Sequence, residues 1–150
     1  GGGGKFNSSV EFVSRKKLDN VEILPYQPEN VFPEYLASAD IALVTLASGM
    51  EGLSVPSKIY SYLAAGLPVI GILNEASEIA TILDEGECGY KSTPGNVGML
   101  VDIIQILYSD RTKIEKMGIN SRSEFEKKYS KDVGVAKHVD LLKKVLIENN

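Results

Sequence analysis

Glu51 stands in a glycine-bracketed loop, Gly49-Met50-Glu51-Gly52, six positions ahead of the pair Ser57-Lys58. A carboxylate in such a loop lets a ligand come close and accepts hydrogen bonds from its hydroxyls. A hydroxyl and an ammonium at a helix start hold anions, because free N–H groups and the positive end of the dipole favour negative charge there. A lysine at that end is unfavourable alone and becomes favourable when an anion joins it. The chemistry these types suit is binding of a diphosphate that carries a sugar. Backbone amides, Ser57 and Lys58 serve the phosphates, and Glu51 the sugar hydroxyls. The same spacing also suits an ordinary surface loop between a strand and a helix.

The elements that would position these groups are legible around them. Pro56 suits a first helical turn, where a missing N–H costs nothing, and Ser54 ahead of it is a candidate N-cap. A helix is expected from about Ser57 to Ala65. Ile59, Tyr62, Leu63 and Gly66 fall on one helical face. Gly66 suits the position after the helix end and Pro68 stops its continuation. Pro68 to Leu73, PVIGIL, is an apolar run expected as a buried strand.

The string GLSVPSK…YLAAGLPVIG, from Gly52 to Gly71, resembles the donor-site motif of family 4 glycosyltransferases of the GT-B fold. It is nearest to a bacterial polysaccharide-synthesis subgroup with Pro-Ser-Lys before the helix. NVEILPYQ, SADIALV and GECGYKS are weaker supports in the right order. In that family a Glu-x7-Glu motif spans the loop and helix. Glu51 matches the first Glu, which reaches the donor sugar. Anchoring on Ala65-Gly66 places Ser61 where the second Glu, the ribose contact, belongs. Counting eight from Glu51 lands on Ile59, so the loop is about two residues longer than the common form. The resemblance implies a retaining transfer of a sugar from a nucleoside-diphosphate donor to a polysaccharide or lipid-linked acceptor, with no metal or other cofactor. It assigns catalysis to Glu51 and Lys58 and donor binding to Gly52, Ser54, Ser57, Lys58 and Ser61, and it makes Tyr26 and Gln27 nucleobase-site candidates on a stretch that equally suits a simple connecting loop. It also implies a cytoplasmic enzyme working at the inner face of a membrane.

Length and composition agree with one soluble-type domain. The chain has 150 residues, 43% hydrophobic and 24% charged. A chain of this size buries roughly 70% of its unfolded surface. Net charge is −4 without a basic stripe, which argues against nucleic-acid binding. No apolar run approaches the ~20 residues of a membrane span, and no signal peptide is visible at the start. Cys88 is the single cysteine, so no intrachain disulfide can form, and with His138 the single histidine neither a zinc site nor a Ser-His-Asp arrangement has support. Asn7-Ser8-Ser9 matches a glycosylation sequon and is read as chance.

Taken in order, Gly1 to Gly4 form a glycine-rich turn, either a flexible leader or the loop after a strand of the resembled domain. That domain's first strand, basic loop and helix are expected to be missing, as is an N-terminal acceptor-binding domain; the expected partner is that N-terminal domain or a partner chain. Asn7 to Leu18 reads as a helix ended by Asp19-Asn20, and Val21 to Leu24 as a strand. Asn30 to Ser38 reads as a short helix. Ile41 to Leu46, apolar on both faces, reads as a central parallel strand. Asn74 or Ser77 caps a helix with Glu78 in its first turn and Ile79, Ile82 and Leu83 inward. Glu78 also matches a Glu of the resembled family. Cys88 to Lys91 is the last strand. Leu100, Ile103, Ile104 and Leu107 form the buried stripe of the next helix, which opens at Pro94-Gly95-Asn96. Asp110 starts a charged helix to about Tyr129. Asp132 to Glu148 is a final helix with Val135, Val139, Leu142, Val145 and Leu146 inward, or exposed and available for self-association.

The alternation predicts an α/β fold: a Rossmann-like parallel sheet of about four strands with helices on both faces. Two alternatives stand beside the transferase reading. A non-catalytic or degenerate nucleotide-sugar-binding scaffold agrees with Ser61 in place of Glu. A flavodoxin-like regulatory domain shares the pattern but lacks an acidic cluster at the strand ends.

Overall fold

The computed structural model describes residues 3–148, so Gly1 and Gly2 of the opening glycine run lie outside the described residues. The chain divides into two compact units, Gly1–Ala37 and Ser38–Asn150. The first holds α1 (Phe6–Lys16) and α2 (Phe32–Ala37). Helix α1 ends before Asp19-Asn20: Lys17 takes a left-handed conformation (φ 52°), and Leu18 N–H reaches back to the Val13 carbonyl at 3.1 Å. Val21 to Leu24, expected as a strand, is irregular chain.

The second unit is the α/β fold the sequence predicts, with three strands among the described residues where about four are expected. They are β1 (Ala42–Thr45), β2 (Val69–Ile72) and β3 (Gly89–Ser92), all parallel, in the order β1-β2-β3. Helix α3 (Lys58–Ala64) joins β1 to β2 and α4 (Glu78–Gly86) joins β2 to β3. Then follow α5 (Val97–Ser109), α6 (Arg111–Glu124), a π-helical turn (Phe125–Tyr129) and α7 (Lys131–Glu148).

The central strand is β2, not β1. Val69, Ile70 and Gly71 are buried, while β1 alternates, with Ala42 and Val44 buried and Leu43 and Thr45 exposed. Strand side chains alternate between faces. Ile70 packs on one face with Ile103 and Leu107 of α5 and Ile114 of α6. Gly71 faces the other way, where an added Cβ would lie 3.1 Å from Leu83 of α4. Helices therefore cover both faces of β2. On α5 the stripe is narrower than predicted, because Ile104 is exposed. The predicted inward positions of α7 (Val135, Val139, Leu142, Val145, Leu146) are all exposed as well.

Helix caps follow local chemistry. Ser77 Oγ accepts from Ala80 N–H, Asn96 Oδ1 from Met99 N–H and Asp110 Oδ1 from Lys113 N–H.

Helix α6 locks the sheet's amino end. Gly66 (φ 71°) ends α3, and an alanine methyl at Gly118 would come 2.6 Å from its carbonyl oxygen. Ser121 is fully buried; its hydroxyl lies 2.7 Å from the Leu67 carbonyl and 3.4 Å from that of Cys88, which lead into β2 and β3. Arg122 donates to the Ala64 carbonyl at the end of α3 (2.7 Å). Lys128 of the π turn bridges Glu124 (2.7 Å) and Glu85 of α4 (2.8 Å). Among the described residues no helix is long and apolar enough to cross a membrane.

Two outcomes follow from this packing. Gly118→Ala forces a methyl onto a backbone oxygen and should destabilise by about 1–3 kcal/mol, read as a lower urea midpoint by circular dichroism; an unchanged midpoint would mean that α6 has slack. Burial, and then the Glu124 charge, push the Cys88 thiol from 9.0 up to about 11. A raised acid pKa favours the neutral thiol in the fold. Stability from this site is therefore complete below about pH 9 and falls as pH rises from there to about 11. Urea midpoints across that range should decline faster for the native chain than for Cys88→Ala.

Candidate functional site

The carboxyl ends of β1 and β2 open onto two loops, the place where open α/β sheets bind ligands. The first runs from Leu46 to Ser57. Gly49 (φ 85°) and Gly52 (φ 74°) both adopt left-handed conformations that side chains rarely take. They turn the chain sharply on either side of Glu51, and Leu53 and Ser54 N–H groups close the turn on the Met50 carbonyl at 3.1 Å.

Glu51 is partly exposed, and both its carboxylate oxygens are held. The Gly49 N–H donates to Oε2 at 2.7 Å, and Asn74 Nδ2 donates to Oε1 at 2.5 Å. Its own backbone N–H, the Asn74 amide and the Gly49 N–H hold the carboxyl below its ordinary 4.5, against the opposing effect of desolvation. The group is thus a fixed, ionised acceptor at neutral pH.

The remaining residues of the motif surround it in sequence. Ser54 is exposed and does not cap the helix; the cap position is Ser57, in a helical conformation, and its hydroxyl makes no capping bond. The reason is a turn that begins earlier, at Pro56, whose carbonyl accepts from Ile59 N–H at 3.1 Å. Lys58 is the first residue of α3, exposed, and makes no ion pair among the described residues. Ser61 follows one turn later on the same side of the helix, partly buried. Ile59 and Leu63 are fully buried and anchor the opposite side.

Helix α3 also meets the π turn. The rings of Tyr60 and Tyr129 meet at 5.1 Å between centroids, tilted by 47°. Burial raises the Tyr60 hydroxyl pKa, and the charge of Glu78 raises it further. Burial also raises that of Tyr129, followed by the charge of Glu124 and, more weakly, that of Glu78.

The structure brings Glu51, Gly52, Ser54, Ser57, Lys58 and Ser61 into one loop and helix. Tyr26 and Gln27 belong to the other unit. Tyr26 is 85% exposed, and Gln27 Nε2 donates to the Pro25 carbonyl at 3.0 Å. The sequence suggests Asn74 only as a helix cap. Its bond to Glu51 crosses 23 positions of sequence, and the one local signal for it is its place just past the end of a buried strand. Among the described residues no group of three His, Cys, Asp or Glu side chains is placed to hold a metal ion.

Residues 1–110 match the family model described as "Glycosyl transferases group 1". The chain is also 32% identical over 114 residues to the Pseudomonas aeruginosa protein named "Probable glycosyltransferase WbjE". The aligned stretch is 76% of this chain and 28% of that protein, so the chain spans less than a third of this relative's length.

The turn geometry makes a direct expectation. Gly52→Ala places a Cβ at φ 74°, and should cost about 1–2 kcal/mol. Thr93→Ala, on an exposed loop, serves as the control and should leave the urea midpoint within error. Equal midpoints for both variants would show that the loop relaxes to another conformation.

Proposed function

The chain belongs to the glycosyl transferases group 1 family, and on that premise we propose that it is the donor-binding part of a retaining glycosyltransferase of the GT-B type. The donor is a nucleoside-diphosphate sugar. The acceptor is a polysaccharide or lipid-linked glycan, held by a separate domain or partner chain at the inner face of a membrane. No metal takes part. The observation that carries this reading is the ionised Glu51 carboxylate, fixed by two donors at the carboxyl ends of β1 and β2.

The division of labour follows from chemistry. Breaking the bond between sugar and phosphate leaves charge on the departing diphosphate. Preorganised donors aimed at developing charge are commonly the largest catalytic contribution. Lys58, exposed at the start of α3, supplies a cation, and Ser57 a hydroxyl and an N–H. Glu51 orients the sugar ring by accepting its hydroxyls, with Gly52 and Ser54 lining the loop. Ser61 lies one turn from Lys58 on the side assigned to the ribose.

A second reading is favoured by one observation. Ser61 presents a hydroxyl where the resembled motif has a carboxylate, which fits a degenerate nucleotide-sugar-binding scaffold. Ser61→Glu separates the two: tighter nucleotide binding marks a weakened donor site.

Calorimetric titration with UDP, GDP, ADP and their glucose conjugates tests the proposal. One nucleotide is expected to bind, with affinity lost in Lys58→Ala. In the intact enzyme Lys58→Ala should reduce turnover about a hundredfold or more, the loss typical of removing one such donor. No binding at millimolar ligand, or a turnover loss below about tenfold, would overturn the roles of Ser57 and Lys58 as phosphate donors.

A further inference from the structure

Glu51 sits on a loop shaped by two glycines and closed by its own short turns. The group it leans on is different in kind. Asn74 directly follows Leu73, which is 2% exposed and donates its N–H to the Ser92 carbonyl of β3 at 3.0 Å. On its other side the Asn74 carbonyl accepts from Ser77 N–H at 3.1 Å. Ser77 is itself buried and caps α4. Asn74 is therefore clamped between the sheet and the start of a helix, and it reaches across to the loop with its side chain.

The chemistry of the pair fixes its direction. An ionised carboxylate only accepts, so the Asn74 amide must turn its NH2 toward Glu51. A carboxylate offers about four acceptor positions. The Asn74 and Gly49 bonds take one on each oxygen, and Glu51's own backbone N–H also lies against the carboxylate, so at least one position is left for a ligand. Two such bonds also remove rotation about the last side-chain torsion.

We infer that Asn74 is a positioning residue: it holds the Glu51 carboxylate so that its free acceptor positions meet the hydroxyls of the donor sugar, and it thereby sets the preference for a nucleoside-diphosphate sugar over the free nucleoside diphosphate. This rests on the reading of Glu51 as the sugar acceptor. The phosphates are held elsewhere, at Ser57 and Lys58. Loss of Asn74 should therefore penalise the sugar conjugate and spare the free nucleotide.

Two variants test it. Asn74→Leu keeps the bulk and removes the donor. Asn74→Asp keeps the shape and replaces the donor with a second carboxylate. The Glu51 carboxyl is followed by carbon-13 NMR of the chain labelled at glutamate, with its signal assigned by Glu51→Gln. Affinities for UDP, GDP and ADP and for their glucose conjugates are measured by calorimetry. The Glu51 midpoint should rise in Asn74→Leu and rise further in Asn74→Asp. The preference for the sugar conjugate should shrink about tenfold in Asn74→Leu, the factor that one hydrogen bond to a charged group commonly carries. Affinity for the free nucleotide should stay within about twofold, which a variant that merely loosens the fold would not achieve. An unmoved midpoint in Asn74→Leu, or equal losses for free and sugar-bearing nucleotide, would overturn the inference. If the unaltered chain takes neither ligand, the donor-site reading falls and the sugar preference with it, and the midpoints then report separately on whether Asn74 holds Glu51.

Discussion

The close approach of Gly66 and Gly118 is the contact on which the rest of the second unit depends. Backbone meets backbone there, with no side chain between. That proximity lets α6 lie against the turn between α3 and β2. Ser121 and Arg122, one turn further on, then reach the Leu67, Cys88 and Ala64 carbonyls. Three chain segments at the sheet's amino end are gathered by one helix; the Cys88 carbonyl also accepts from Val69 N–H at 3.1 Å, while those of Leu67 and Ala64 rely on α6. Burying a carbonyl without a partner is costly, so the seam favours one arrangement of α3 over its alternatives.

The consequences run the length of α3. Its carboxyl end is held by Arg122, and its core side by Ile59 and Leu63. A helix of seven residues so anchored has little freedom at its other end. The position of Lys58 is thus decided by the buried Ile59 beside it and by contacts at the far end of the helix. Glu51 is placed by a separate route, through Asn74 and β2. The two charged groups of the site are carried by different elements that meet in the central strand, which begins beside the seam and ends beside Asn74.

Local chemistry was legible in the sequence and long-range partnership was not. Ser77, Asn96 and Asp110 announce helix starts because a cap is a bond across three residues. The three strands Ile41–Leu46, Pro68–Leu73 and Cys88–Lys91 read correctly to within a residue or two, since apolar runs between turn residues are local as well. Val21–Leu24 has a similar composition, but a strand exists only by pairing, and the pattern does not say whether a neighbour is there. The same gap explains the edge position of β1 and the exposure of α7: periodicity identifies an apolar side without identifying what covers it. In the site, the glycines around Glu51 and the exposed Lys58 were evident from residue types. Asn74 and Ser121 were not, because a polar side chain's partner 23 or 54 positions away leaves no trace in spacing.

Helix α7 has a practical corollary. Val135, Leu141, Leu142 and Ile147 are each more than half exposed on a folded, hydrogen-bonded helix. Fluorescent dyes that brighten on apolar surface are used to detect molten, loosely packed states. With this chain they would brighten on the native state. A high initial signal in such an assay would report the surface of α7 and not a defect in packing.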